Sequence, residues 1–315
     1  MGGWMARWLI KKFLRFMRAR LDGIDVAGTR RWANRVDWLL GRFPSDVTTS
    51  REEHGAWSGT WIDVPPTRRE RVILYLHGGA FIMETPRIHT RLLAKLCRGA
   101  HARGFMVSYR LAPEHPFPAA VDDCLAAYRH LLDAGYAPSD ILVAGDSAGG
   151  NLALVTLLGA RKACLPLPCG AVALSPFTDG TFSGESMRRN AGHDPLFDED
   201  VFRPVATLYV SGEVDAMHPF LSPLFADLDG LPPLMLIAGS SELLLDDSVR
   251  LAARARDVTL EVWHDMPHVF PAFPLLREAP IAIENICRFV RERFAAAGAL
   301  AEATVVNLLA EAPVA

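Results

Sequence analysis

The residues best suited to chemistry lie in the pentapeptide G-D-S-A-G at 145–149, which places Ser147 at its centre. An apolar run at 141–144 precedes it and an apolar helical stretch at 151–162 follows it. This setting is typical of a nucleophile elbow, a sharp strand-to-helix turn that exposes a serine oxygen. The same residues also fit an ordinary turn with a serine at a helix N-terminus. A catalytic Ser147 therefore requires a base, an acid and oxyanion donors elsewhere in the chain.

The elements that would position such residues alternate regularly along the chain. Alternation at 57–64, ended by two prolines, predicts an edge strand. Short apolar runs predict further strands at 72–76, 105–109, 141–144, 171–174, 234–238 and 260–263. Helical apolar stretches lie between them, at 90–99, 119–134, 151–162, 248–255 and 281–297. This alternation predicts an α/β fold with a mostly parallel sheet of about eight strands and helices on both faces. Catalytic side chains are then expected just beyond the carboxyl ends of the strands.

The loop after the 72–76 strand carries two consecutive glycines, Gly78 and Gly79, followed by Ala80. Bare backbone at such positions can approach a substrate carbonyl closely and direct N–H groups into the site. Together with Ala148, which follows the serine, these three residues form the predicted oxyanion hole. His77, at the start of the loop, is expected to brace it and not to act as a base.

Three acidic residues follow the 234–238 strand: Glu242, Asp246 and Asp247. Glu242 is nearest the strand end, where the acid of a catalytic triad belongs. The two aspartates precede a helical stretch, so capping of its N-terminus explains them without chemistry. We therefore favour Glu242 as the acid and keep Asp246 as the alternative.

Two histidines follow the 260–263 strand, His264 near its end and His268 four residues later in the loop. A loop imidazole can reach a nucleophile, whereas a histidine at the strand end is readily structural. His268 is therefore the predicted general base. The chain order Ser147, Glu242, His268 matches the order of a triad built on an α/β sheet with a nucleophile elbow.

A twelve-residue block at 109–120, Y-R-L-A-P-E-H-P-F-P-A-A, is more specific than the elbow itself. With H-G-G-A-F at 77–81, G-D-S-A-G-G at 145–150 and the segments around the acid and the base, it resembles the hormone-sensitive-lipase-like serine esterases. These are the bacterial family IV group of the α/β-hydrolase superfamily. Shorter matches at 175–179 and 230–233 extend the resemblance to roughly residues 70–290.

This resemblance implies a carboxylic-ester hydrolase of the carboxylesterase and lipase class, with a helical cap and neither a metal nor an organic cofactor. It also implies short- to medium-chain acyl esters as substrates. Two positions depart from the group: Ala80 stands where a third glycine is usual, and Glu242 where an aspartate is commoner. Arg110, in the twelve-residue block, is expected to form an ion pair with Glu114 or Asp122.

Two rival functions stay open at this point. An amidase or deacetylase would use the same catalytic groups, because the machinery does not distinguish an ester from an amide. A hydrolase-like binding protein without activity is disfavoured, since such proteins lack the triad histidine and His268 is present.

The substrate pocket and the domain limits are marked less clearly. Five residues could line an acyl or alcohol pocket, although each is equally compatible with a core position: Phe81, Met83, Phe177, Leu208 and Tyr209. The expected domains are an N-terminal helical cap segment at 1–50 and a catalytic domain at 51–300. The catalytic domain includes a cap insertion at about 180–215, and a C-terminal tail follows at 301–315.

Charge is distributed unevenly along the 315 residues, whose net charge is −3. Residues 1–43 contain ten basic and three acidic residues, a balance of +7, and the remainder contains 23 basic and 33 acidic residues, a balance of −10. The first helix should carry an apolar stripe of Met5, Leu9, Phe13 and Phe16 beside a basic face of Arg7, Lys11, Arg15 and Arg18. This stripe fits packing on the protein body, and it also fits peripheral contact of residues 1–20 with a lipid surface. The net charge indicates no nucleic-acid partner.

The five cysteines are an odd number without a pairing pattern, and Cys164 and Cys169 are the only close pair. With no histidine near, that pair indicates small apolar residues and not a metal site. Reduced thiols favour a cytoplasmic location. A small-molecule ester is the expected partner, and a homodimer is left open.

Overall fold

An eight-stranded sheet forms the frame of the molecule. The structure, a computed structural model, describes residues 3–21, 25–41, 44–65 and 68–310. The strands are β1 (Thr48–His54), β2 (Trp57–Asp63), β3 (Arg68–Leu76), β4 (Ala102–Ser108), β5 (Ile141–Asp146), β6 (Gly170–Leu174), β7 (Leu234–Gly239) and β8 (Val258–Trp263). Their order is β1-β2-β4-β3-β5-β6-β7-β8, with antiparallel pairing only for β1–β2 and β2–β4. The prediction of about eight mostly parallel strands is confirmed.

Helices cover both faces of this sheet. They are α1 (Gly3–Leu21), α2 (Val26–Leu40), α3 (Pro86–Ala100), α4 (Ala119–Asp133), α5 (Ala148–Lys162), α6 (Ser186–Arg189), α7 (Glu199–Tyr209), α8 (Leu245–Arg254) and α9 (Glu278–Ala310). Strand β3 shows why two faces are needed, because its buried residues alternate between two separate cores. Leu74 and Leu76 pack with α4 and α5 on one face, whereas Ile73 and Tyr75 pack with α3 and α9 on the other.

Strand β1 has no counterpart among the predicted strands. The prediction of an edge strand at 57–64 is therefore wrong, because β2 pairs with β1 on one side and with β4 on the other. The sequence of β1, T-T-S-R-E-E-H, lacks apolar alternation because the strand is a largely exposed edge that pairs only with β2. The predicted boundary between cap and catalytic domain, at residue 50, falls inside this strand. Helix α2, which precedes this strand, ends at Leu40.

The first helix packs on the body of the protein through a different stripe from the predicted one. Ala6, Ile10 and Leu14 are buried, and the latter two join the core between α3 and α9. Leu9 and Phe16, which belong to the predicted stripe, are 38% and 51% exposed. The burying face is thus rotated by about one residue from the expected face.

Most of the predicted basic face of α1 is engaged by acidic residues of the body. Arg7 pairs with Glu278, Lys11 Nζ lies 2.5 Å from Asp265 Oδ1, and Arg18 pairs with Asp198. The remaining predicted member, Arg15, is exposed. The positive charge of α1 is therefore partly used in ion pairs that hold this helix on the rest of the chain.

Two further predicted segments are the cap insertion and the C-terminal tail. The cap insertion at about 180–215 contains α6 and α7 and no strand among its described residues. The expected C-terminal tail begins inside α9, which continues to Ala310, and residues 311–315 lie outside the described part. Among the described helices, none combines the length and the apolarity that crossing a membrane requires.

Candidate active site

Ser147 occupies a strained turn between β5 and α5. Its φ of 53° and ψ of −118° are unfavourable for a residue with a side chain. The flanking glycines explain how the turn is accommodated: a Cβ on Gly149 would lie 1.9 Å from the Leu76 carbonyl oxygen, and one on Gly145 2.1 Å from that of Gly149. The Ser147 N–H donates to the Leu174 carbonyl at 2.7 Å, which fixes the turn against β6. The local geometry is that of a nucleophile elbow.

His268 and Glu242 form a buried hydrogen-bonded pair beside this turn. His268 Nδ1 lies 2.6 Å from Glu242 Oε2, and the two side chains are 3% and 0% exposed. Among the described residues, the other ring nitrogen, Nε2, has no hydrogen-bond partner. Burial alone would lower the pKa of His268, but the Glu242 carboxylate outweighs it and raises this pKa above its ordinary value.

The Glu242 carboxylate is held by donors besides the histidine. Its Oε1 accepts the Gly239 N–H at 2.5 Å and the Ser175 hydroxyl at 3.0 Å. Ser175 in turn accepts the Val269 N–H at 3.0 Å. One hydroxyl therefore links the acid loop, residues 240–244 with Glu242, to the loop at 264–269 that carries His268. The sequence reasoning missed Ser175, although its place directly after the β6 strand was a signal that could have found it.

The cap insertion also grips the acid loop. Asn190 Nδ2 donates to the carbonyl oxygens of Ser240 and Glu242 at 3.0 and 2.8 Å. The buried carboxylate of Asp194 accepts the Leu243 N–H at 2.8 Å, and burial raises its pKa. These two residues gave no motif in the sequence, because their function depends on contacts across some fifty positions of chain.

Asp246 and Asp247, the competing acids, have other partners. Asp246 accepts the Ser186 N–H at 2.9 Å, which docks the start of α6 on α8. Asp247 accepts the backbone N–H groups of Thr178 and Asp179 at 2.6 and 2.9 Å, and burial raises its pKa to about 7. Both aspartates hold backbone in place, whereas Glu242 alone of the three bonds the histidine within the described part of the chain.

The loop at 77–81 presents backbone donors to the same place. Gly79 has a φ of 123°, and a Cβ there would lie 2.0 Å from the Met83 carbonyl oxygen. Ala80 has a φ of 55°, so it adopts the left-handed conformation that a third glycine would take more readily. No hydrogen bond within the described residues engages the N–H groups of Gly79 and Ala80.

Gly78 differs from its two neighbours. Its N–H donates to Asp146 Oδ1 at 3.0 Å, and that oxygen also accepts the Tyr75 hydroxyl at 2.7 Å. An N–H occupied in this way is not free for a substrate oxygen. The carboxylate of the elbow's second residue, Asp146, instead uses Gly78 to hold the oxyanion loop beside Ser147.

His77 is a packing residue of this loop. Its ring stacks on Tyr109 with centroids 4.2 Å apart, and its Nδ1 donates to the Gly78 carbonyl oxygen at 2.7 Å. Burial lowers its pKa, so the ring is neutral near pH 7. These contacts suit the bracing role expected of His77.

A single cavity of about 470 Å³ connects the serine to the N-terminal helices. Ser147, His268, Gly79 and Ala80 line its inner end. Its walls are mostly apolar, and nine of the 28 lining residues come from α1 and α2, among them Leu9, Phe13, Met17, Trp32, Val36 and Leu40. The cap segment therefore shapes the space into which a substrate must fit.

Of the five predicted pocket residues, only Met83 lines this cavity. Phe81 stacks on Tyr209 with centroids 3.7 Å apart, and both are buried. Phe177 is buried beside Phe81, and Leu208 packs against the same core. The prediction is corrected accordingly: these four side chains support the loop and the cap, and residues of α1 and α2 take their place along the cavity.

The ion pair expected of Arg110 has a different partner. Arg110 Nη2 lies 2.7 Å from Asp123 Oδ1, and neither Glu114 nor Asp122 takes this role. Glu114 instead receives two hydrogen bonds of 2.7 Å from Arg30 on α2. Arg30 also donates to the carbonyl oxygens of Ile82 and Ala112, at 2.6 and 2.7 Å. The Arg30 side chain thus links α2 to the residue that follows the 77–81 loop and to the block at 109–120.

Comparison with known proteins agrees with this arrangement. A family model described as an alpha/beta hydrolase fold matches residues 73–272. An acetyl-hydrolase of Streptomyces hygroscopicus is 41% identical over 258 residues, which are 80% of this chain and 84% of the relative. A solved esterase of the bacterial hormone-sensitive lipase family is 39% identical, with a TM-score of 0.86, over 92% of this chain and 98% of that one. Crystals of a third similar protein, EstE5 (38% identity, TM-score 0.86, 92% and 99% covered), were soaked with p-nitrophenyl butyrate.

The fold and the matched residues define an α/β hydrolase. Within that class, the chain belongs to the hormone-sensitive-lipase family, as its resemblance at 77–81 and 109–120 predicts.

Proposed function

We propose that this chain hydrolyses carboxylic esters through an acyl-enzyme on Ser147, with His268 as general base and Glu242 as the acid that orients it. Membership of the family makes the chain a hydrolase of the carboxylesterase type. The residue roles are our proposal. The observation that carries them is the buried Glu242–His268 hydrogen bond, whose histidine lines the same cavity as the elbow serine.

The reaction follows from the position of each group. Ser147 Oγ attacks the ester carbonyl carbon while His268 Nε2 accepts the hydroxyl proton. The Glu242 carboxylate keeps the proton on Nδ1 and stabilises the imidazolium that forms. The N–H groups of Gly79, Ala80 and Ala148 stabilise the negative oxygen of the tetrahedral intermediate. Loss of one such donor typically costs about 3 kcal/mol of transition-state stabilisation.

The two halves of the reaction use the same histidine. His268 returns its proton to the leaving alcohol oxygen as the carbon–oxygen bond breaks, which leaves an acyl group on Ser147. Water then loses a proton to His268 and attacks the acyl carbon, and the proton returns to Ser147 as the acid departs. No step requires a metal or an organic cofactor.

The decisive experiment replaces the nucleophile. Ser147→Ala should lower kcat/KM for p-nitrophenyl butyrate by at least about 10⁴-fold while the circular dichroism spectrum stays unchanged. Ser211→Ala, at an exposed serine after α7, is the matched control and should retain full activity. Mass spectrometry after treatment with a fluorophosphonate should find the label on Ser147. Full activity of Ser147→Ala would refute the proposal.

We further propose short- to medium-chain acyl esters as the substrate class. The cavity volume of about 470 Å³ lies in the range of sites for small ligands and its walls are apolar. The acetyl-hydrolase name of one relative and the butyrate ester soaked into another support a short acyl group. A series of p-nitrophenyl esters from about two to sixteen carbons should give the highest kcat/KM below about ten carbons; a maximum at sixteen would exclude this class.

Deacetylation of an amide is the second candidate, because the Streptomyces hygroscopicus relative is called an acetyl-hydrolase, a name that does not specify the bond cleaved. An acetate ester and the matched acetanilide should be compared under the same conditions. Preference for the ester supports the first proposal, and equal or faster cleavage of the amide supports the second.

Lipid contact is proposed for the cap surface around the cavity mouth. Leu9 and Leu40 line the cavity and are also 38% and 42% exposed, so they form part of its rim. Trp4, Trp8 and Trp38 on the same two helices are 74%, 49% and 68% exposed. Exposed tryptophans beside basic residues favour an anionic lipid–water interface.

Vesicle co-sedimentation tests this contact. Binding to anionic phosphatidylglycerol vesicles should fall at least tenfold in Trp8→Ser/Trp38→Ser. The matched control is Met217→Ser/Ile281→Ser, at two equally exposed apolar residues elsewhere. Equal binding of both double variants would remove the idea. The cytoplasmic location and the homodimer stay predictions, to be tested by fractionation and by light scattering.

A further inference from the structure

Outside the active site, three potential metal ligands converge on one point at the edge of the sheet. Glu52 and His54 lie two positions apart on β1, so their side chains project from the same face of the strand. His130, in the last turn of α4, lies beside both side chains. The imidazole Nε2 atoms of both histidines lie 3.4 Å from Glu52 Oε2.

These separations match the geometry of a tetrahedral zinc site. Zinc binds imidazole nitrogen and carboxylate oxygen at about 2.1 Å, so neighbouring ligand atoms at the tetrahedral angle lie about 3.4 Å apart. Two of the three ligand–ligand distances have this value, and the three ligand atoms all lie within 4.8 Å of one another.

The surroundings orient the ligands as outer contacts do in metal sites. The Trp61 indole N–H donates to Glu52 Oε1 at 2.7 Å, which leaves Oε2 directed toward the histidines. The ring of Trp57 stacks on His54 with centroids 4.1 Å apart and fixes its plane. His54 Nε2 is buried and has no hydrogen-bond partner among the described residues.

We propose that Glu52, His54 and His130 form a binding site for a divalent transition-metal ion, with zinc as the natural probe. Two imidazoles and one carboxylate suit zinc and its neighbours and not magnesium or calcium, which prefer oxygen. Water would occupy the fourth position. None of the three residues lines the cavity of Ser147, so this site is separate from ester hydrolysis.

The metal would act as a clasp. Strand β1 is the edge of the sheet, pairs only with β2 and is mostly exposed, so few contacts hold it. A metal shared by β1 and α4 would join this edge to a helix that packs on the central sheet. Binding to the folded chain alone would then raise the unfolding temperature.

Zinc binding to tag-free, chelator-treated full-length protein tests the proposal by calorimetry. The wild type should bind one zinc ion, and a free concentration a hundredfold above Kd should raise Tm by roughly 5 °C. His54→Asn and His130→Asn should each weaken binding by at least about 100-fold. Glu52→Gln, which keeps the shape of the side chain, should do the same.

Two further variants distinguish a site from general surface binding. Trp61→Phe should weaken zinc binding by about 10- to 100-fold through loss of the outer hydrogen bond. His264→Asn, at an exposed histidine after β8, should bind zinc like the wild type. Hydrolysis of p-nitrophenyl butyrate should be unchanged in His130→Asn. The proposal is overturned if the wild type binds no zinc, or if the ligand variants bind it as tightly as His264→Asn does.

Discussion

The strand-end site and the N-terminal cap are held by different forces. Around Glu242 the contacts are buried hydrogen bonds between loops, each with a donor and an acceptor that water does not reach. The cap helices instead rest on apolar side chains, on the hydrogen bonds of Arg30 and on ion pairs at partly exposed positions, such as Lys11–Asp265. Buried hydrogen bonds fix geometry closely, whereas partly exposed ion pairs contribute only about 0–1 kcal/mol each. The proposed catalytic residues thus lie in a buried hydrogen-bonded network, whereas the proposed substrate-contacting helices are held largely by contacts nearer the surface.

The largest expected effect breaks the buried network. Glu242→Ala should lower kcat by about 10⁴-fold, because His268 loses the carboxylate that orients it and stabilises its charge. Asp246→Ala is the matched control, because the Asp246 carboxylate holds the start of α6. This substitution should lower the free energy of unfolding by about 1–3 kcal/mol and the activity by less than about tenfold. Initial rates with p-nitrophenyl butyrate and a urea titration separate the two. The reverse ranking would move the acid to Asp246.

The pH dependence of kcat/KM tests the proposed role of His268. His268 must be neutral to accept the proton of Ser147, so kcat/KM should fall as the pH drops through its pKa, which lies above 6.5. The sign for stability is opposite: a raised pKa stabilises the folded chain below about pH 6.5, and this contribution is lost as the pH rises through the folded pKa. Glu242→Gln, with its residual activity, should shift the inflection to lower pH. An unshifted inflection would show that another group titrates.

The cap should respond to the loss of the Arg30 side chain. Arg30→Met removes four hydrogen bonds to Ile82, Ala112 and Glu114 and should raise KM by about tenfold, equivalent to ~1.4 kcal/mol. Its effect on kcat should be smaller, because the triad does not depend on α2. Arg31→Met removes a 3.5 Å ion pair with Asp25, both side chains being largely exposed, and should leave both constants unchanged. Steady-state kinetics with a butyrate ester measures this, and an unaltered KM would show that α2 does not shape the bound substrate.

The smallest effect is expected from a substitution of Ala80, in the 77–81 loop. Ala80→Gly relieves a left-handed conformation that costs about 1 kcal/mol, but it also increases the entropy of the unfolded chain by a similar amount. Stability should therefore change by less than about 1 kcal/mol, and activity should persist. Gly79→Ala, by contrast, places a Cβ 2.0 Å from a carbonyl oxygen and should abolish activity. Equal behaviour of the two variants in thermal unfolding and rate measurements would contradict this assignment.

Sequence reasoning succeeded where the information was local. Each proposed catalytic residue follows a short apolar strand, so its position at the sheet edge could be predicted from the strand alone. Strand β1 was missed because a polar edge strand has no apolar alternation. The acid loop's contacts with Asn190 and Asp194 connect distant parts of the chain, and no local pattern encodes them.

The prediction of the residues that line the cavity was wrong for a different reason. Aromatic and aliphatic residues occur around most of α1, so periodicity alone left the burying face uncertain by about one residue. That small rotation decides which side chains reach the cavity and which reach solvent. Likewise, four predicted pocket residues are large and apolar, and such residues serve equally well in a core.

The grip of Asn190 and Asp194 on the acid loop has a consequence for protein engineering. Replacing the insertion at 180–215 with that of a relative, in order to import its selectivity, would also exchange the supports of the catalytic acid. A graft that retains Asn190 and Asp194 should keep turnover while the substrate range changes. One that discards them would produce a slow hydrolase, and the loss would be mistaken for a poor choice of substrate.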